Sequence, residues 1–95
     1  MNTIYYNDLI STIKRTVSQL QNDVLTIVGR HAFSSCRSLT SIDLPKVTTV
    51  GSNAFNGCIS LKEIHFAAKN KEAIEALSDY SNKFGATNEK IYFDI

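Results

Sequence analysis

The chain has 95 residues, 43% of them hydrophobic and 20% charged, the balance of one ordinary globular domain and not of a disordered segment. A net charge of +1, with Lys and Arg spread along the length, gives no field for steering onto nucleic acid. No apolar run approaches a bilayer-spanning helix, and Met1-Asn2-Thr3-Ile4-Tyr5-Tyr6-Asn7-Asp8 lacks the basic stretch and apolar core of a secretory signal, so no membrane insertion is expected.

Residues 1–22 read as a capping helix. Tyr6, Leu9, Ile10, Ile13, Val17 and Leu20 follow i, i+3, i+4, i+7 spacing, with Asn7 or Asp8 as N-cap and Gln21-Asn22-Asp23 as a polar end. Asp8, Thr12, Lys14, Arg15, Ser18 and Gln19 make the opposite, polar face, so the helix can lid whatever apolar edge follows.

From Val24 the period changes. Leu25 and Ile27 alternate with Thr26 before Val28-Gly29, and Val47-Thr48-Thr49-Val50-Gly51 holds the same phase further on; both read as short extended stretches running into a Gly free to take positive φ. The whole block from Val28 to Ile42 then returns from Val50 to Ile64 at a constant offset of 22. Within it, Ala-Phe-x-x-Cys sets Phe33 with Cys36, and Phe55 with Cys58, on one side of a turn. Ser41-Ile42-Asp43-Leu44 and Glu63-Ile64-His65-Phe66 alternate as strands with one buried face, and Pro45 falls just past the first, where it breaks no ladder. A fixed period of this size marks a solenoid in which each unit buries its apolar edge against its neighbours.

After Phe66 the pattern lapses. Residues 70–84 read as a helix with Asn70 as N-cap, Gly85 as the residue past its end, and Ile74, Leu77, Tyr80 or Ser81, and Phe84 facing inward. Ile91-Tyr92-Phe93-Asp94-Ile95 is a strong strand signal, joining the sheet in parallel through right-handed crossovers. The expected organisation is one domain: a cap over 1–22, two repeats over 23–67, and a helix and closing strand over 68–95.

Cys36 and Cys58 share a phase, so they stack on neighbouring rungs. Strands there lie roughly 4.7–4.9 Å apart, within reach of a disulfide, while the position of each one turn after a Phe favours buried free thiols.

Residues 24–66 resemble the BspA-like subclass of leucine-rich repeats, through Val28-Gly29, Ala32-Phe33, Cys36, Ser38-Leu39, Ile42 and Leu44-Pro45, recurring as Val50-Gly51, Ala54-Phe55, Cys58, Ser60-Leu61, Ile64 and Phe66. The ends also look like small repeat proteins of phage and prophage genomes. The resemblance implies an α/β fold, a short right-handed leucine-rich-repeat solenoid. It also implies a non-enzymatic role in binding a protein or cell-surface ligand, as a phage structural, accessory or adhesion protein; the start of the sequence, without a signal-like segment, sets the expected location as cytoplasmic or virion-associated. A small phage-encoded inhibitor of a host enzyme is the alternative. No catalytic residue, cofactor or metal comes with the motif.

With Ile42 and Ile64 inward, the outward positions align across strands: Asp43, His65 and Tyr92 in one row, Ser41, Glu63 and Lys90 in another. These six are the candidate binding face. The two His and two Cys lack the close pairing of a zinc site, and neither Cys is placed as an exposed, low-pKa nucleophile with His31 as base. Glu72, Glu75 and Asp79 read as a solvated helix face, and no Gly-rich phosphate loop is present. The outer edge of the last strand is a candidate contact between copies of the chain.

Overall fold

The computed structural model describes residues 3–4, 19–21, 23–86 and 89–95. Strands β1 (Thr3–Ile4), β3 (Ile27–Val28) and β5 (Thr49–Val50) form one sheet in that order. Strands β2 (Gln19–Gln21), β4 (Ser41–Leu44), β6 (Glu63–Phe66) and β7 (Lys90–Tyr92) form a second. Every pairing is parallel. Ile27 pairs with Thr49 and Ile42 with Ile64, each 22 residues on, so the repeat is the register of the sheets.

Ile42, Leu44, Ile64 and Phe66 point into a core shared with Phe33, Phe55, Leu39 and Leu61. The rings of Phe33 and Phe55 stack, 5.6 Å apart and 4° from parallel, one above the other on successive repeats. Each such side chain contributes about 1.5–3 kcal/mol by leaving water. Cys36 and Cys58 are buried free thiols, and Cys58 donates its proton to the Phe33 carbonyl at 3.0 Å. Side-chain hydrogen bonding with Cys36, together with burial, pushes the Cys58 pKa far above the ordinary thiol range.

The turn between the sheets divides its backbone donors in alternation. Ala32, Ser34 and Cys36 donate three residues back within the turn, while His31, Phe33 and Ser35 donate to Ser52, Ala54 and Asn56 of the next repeat. This division asks for left-handed backbone at His31 (φ 59) and, one repeat on, at Asn53 (φ 57). Gly29 and Gly51 therefore do not supply the positive φ expected of them. At Gly51 the constraint is proximity: a Cβ there would lie 2.5 Å from the backbone nitrogen of Arg30 on the preceding repeat.

Both ends depart from the sequence reading. Most of the expected N-terminal helix, residues 5–18, lies outside the described residues. At its two described margins the chain is strand: Ile4 pairs with Val28, and Leu20 with Ile42. Leu20 is packed against the core as the helical stripe required, but as the inward residue of β2.

The expected helix over 70–84 is broken into a 3₁₀ turn (Ala68–Asn70), one α-helical turn (Lys71–Glu75) and a second 3₁₀ segment (Tyr80–Gly85). The preceding repeat explains the break. Its donors need acceptors here: Phe55 N–H bonds the Phe84 carbonyl at 2.9 Å, and Asn53 N–H bonds Asp79 Oδ2 at 3.0 Å. Lys83 and Phe84 take left-handed backbone in this segment, and Gly85 follows at φ 88. Asp79 is thus a structural acceptor and not part of a solvated face, and Asn70 holds the expected N-cap position, now of the short helix Lys71–Glu75, while its side-chain amide donates to the Val47 carbonyl. Ile74 and Phe84 are buried as expected. The closing strand starts at Lys90 and ends at Tyr92; beyond it Phe93 stacks on Phe66, and Ile95 N–H bonds the Phe66 carbonyl. Among the described residues no helix is long and apolar enough to cross a membrane.

Candidate functional site

The outward face of the four-stranded sheet is built by alternation. Because Ile42, Ile64 and Ile91 align inward, their flanking residues align outward. Ser41, Glu63 and Lys90 stand in one row and Asp43, His65 and Tyr92 in the other, the two rows expected from sequence. The first strand extends both: Gln19 pairs with Ser41 and Gln21 with Asp43. These two glutamines were hidden by the helical spacing of the segment before them. Counting 22 back from Ser41-Ile42-Asp43 lands on Gln19-Leu20-Gln21, the same polar–apolar–polar pattern, and that count is the signal that finds them.

His65 is the hub. Its ring stacks on Tyr92 with centroids 5.0 Å apart and planes 12° from parallel, as cross-strand neighbours on one row allow. Nε2 donates to Glu63 Oε1 at 2.7 Å, and Nδ1 donates to Asp94 Oδ1 at 2.8 Å. Carboxylates at both ring nitrogens require a proton on each, hence an imidazolium. Burial alone would lower the His65 pKa; the hydrogen bonds to Asp94 and Glu63 and the charges of Asp94 and Asp43 outweigh it and raise the pKa above the ordinary histidine value. Asp94 was not among the expected face residues, since the strand signal ran through it without saying which residue it would meet. It lies two past Tyr92, so alternation carries it to the same face.

β4 presents only Ser41 and Asp43, shorter side chains than the glutamines on one flank and His65 on the other. An open depression of about 550 Å³ results, with Ser41 and Asp43 as floor, Gln19 and Gln21 along one wall, and His65, Asp94 and Ile95 along the other. A second hollow of about 400 Å³ lies near the last strand, between Tyr80, Lys83, Ile91 and Tyr92. Glu89 also borders it, almost wholly buried, with neither carboxylate oxygen hydrogen-bonded among the described residues. Among those residues no three His, Cys, Asp or Glu are arranged to hold a metal ion.

A family model described as "BspA type Leucine rich repeat region (6 copies)" matches residues 2–86. The chain belongs to the BspA-type leucine-rich repeat family. The match reaches beyond the two repeats legible by eye, taking in the N-terminal strands and the broken helical segment. Comparison with curated proteins and with solved structures returned no match. Leucine-rich repeats of this kind generally mediate protein binding or adhesion, and the parallel sheets with mixed helical content fit an α/β repeat fold.

Proposed function

We propose that this BspA-type repeat protein is a non-enzymatic recognition module, a short right-handed solenoid that holds a protein or cell-surface ligand against the outward face of its four-stranded sheet. The observation that supports this reading is the double row of hydrogen-bonding side chains Ser41, Asp43, Glu63, His65, Lys90 and Tyr92, the proposed contact set, of which Ser41, Asp43 and His65 border an open depression. A pull-down from the native host with immobilised protein, read by mass spectrometry, tests it. Ser41→Trp, which fills the depression, should abolish capture at unchanged melting temperature. Thr49→Trp, exposed on β5 of the other sheet, should leave capture intact; the opposite pattern overturns the reading.

An adhesive or virion-accessory role and inhibition of one host enzyme divide on what is retained. A surface component, or presence in purified virions, marks the first; one soluble enzyme, inactivated on binding, marks the second. β7 ends its sheet among the described residues, and we further propose its outer edge as a contact between copies. A monomer by light scattering at high concentration excludes that contact.

A further inference from the structure

We infer that the depression over β4 receives a cationic side chain, an arginine guanidinium or a lysine ammonium, from a basic segment of the partner, and that His65 competes with it for the same carboxylates. This rests on the sheet-face reading above and goes on to name what the face selects.

Charge complementarity at a half-buried carboxylate carries the argument. Asp43 sits on the floor of the depression and accepts no side-chain hydrogen bond among the described residues; its charge is felt by His65 across the row. Its neighbours differ: Asp94 and Glu63 are each already bonded to His65. A carboxylate flanked by two strands and without a side-chain donor among the described residues has room for one, and a cationic donor makes the stronger bond. The lining agrees. Gln19, Gln21 and Ser41 offer amides and a hydroxyl, with little apolar wall to seat a leucine or phenylalanine. The attraction is local, because the chain as a whole carries +1 and does not draw cations by its net charge.

His65 makes the binding proton-linked. The charged or titratable groups facing it are Asp43 from β4, Glu63 on its own strand, Lys90 and Tyr92 from β7, and Asp94 beyond; β2 brings only the neutral glutamines. While the ring is cationic it neutralises the site that the incoming cation needs. Once it loses its proton, Asp94 and Asp43 face the depression uncompensated. Affinity for the cation therefore rises with pH, and a bound cation lowers the His65 pKa by the reciprocal amount.

The test is fluorescence anisotropy of a labelled hexa-arginine peptide on the full chain, arginine keeping its charge throughout. A hexa-glutamate peptide and a Gly-Ser peptide are controls. Hexa-arginine should bind, tighten from pH 6 to pH 8, and weaken about tenfold in Asp43→Asn. Glu75→Gln, exposed on the helical turn Lys71–Glu75, should leave it unchanged, and His65→Gln should bind with little pH dependence. Failure of hexa-arginine to bind, or equal binding by Asp43→Asn, overturns the inference. If the captured partner is lost in Ser41→Trp yet hexa-arginine does not bind, the sheet-face reading stands and only the cationic selectivity falls. If Ser41→Trp retains the partner, the sheet-face reading itself falls.

Discussion

Phe55→Ala tests the stacking of the repeats directly. The ring is fully buried, parallel to Phe33 at 5.6 Å, and the Phe55 backbone is tied to Phe84 on the following repeat. A buried Phe removes about 150–250 Å² from water. With Ala keeping the Cβ, the lost transfer energy stays within about 1.5–3 kcal/mol, the contribution that burial of such a side chain makes. The ring-sized void and the lost stacking bring the total to about 3–5 kcal/mol. A domain of this length has roughly 5–14 kcal/mol in all. Urea unfolding followed by circular dichroism should show the midpoint collapse with the slope unchanged, and the melting temperature should fall by at least about 12 °C. Asp43→Ala, one position from the buried Ile42 but outward, should stay within about 0.5 kcal/mol. A loss below about 1.5 kcal/mol at Phe55, or a larger loss at Asp43, would refute the stacked interior.

Gly51→Ala should cost about 1–3 kcal/mol in the same assay, because its Cβ would collide with the backbone of Arg30 and part the repeats. A neutral result would mean the repeats are not in close contact there. Glu89→Met replaces a buried carboxyl group, without a partner among the described residues, with an apolar side chain of similar length, and should stabilise by about 1–3 kcal/mol in calorimetry at pH 7. His65 sets a pH signature: with its folded pKa raised, the stabilisation is fully present below the unfolded value of 6.5 and is lost as pH rises through the folded pKa. The wild type should therefore lose more urea resistance than His65→Gln on going from pH 6 to pH 9, and equal losses would contradict the paired imidazolium.

What could be read from sequence follows from how each feature is encoded. The repeat itself is written in large buried side chains, so Phe33, Cys36, Leu39 and Ile42 and their counterparts located the core and the facing rows. Leu20 shows why the N-terminal strands were not legible: one inward residue per strand satisfies a helical stripe as well as a sheet register, and only the 22-residue count separates them. Lys83 and Phe84 show why the C-terminal helix was over-extended. Their left-handed backbone belongs to a segment that supplies acceptors to Asn53 and Phe55, a long-range demand that local propensity does not contain. The left-handed backbone falls on His31 and Asn53, residue types that adopt it more readily than most, and the glycines two residues earlier drew the expectation away from them. In the site, the rows were legible from alternation, which also puts Asp94 on the same face, but its pairing with His65 depends on side-chain reach beyond the end of β7.

The alternation along β4 and β6 has an evolutionary corollary. Each outward position has an inward neighbour that carries the core packing, so Ser41 and Asp43 can change identity while Ile42 and Ile64 stay as they are. Selectivity on this scaffold can therefore drift quickly at little thermodynamic risk, and descendants with near-identical interiors can diverge in what they hold.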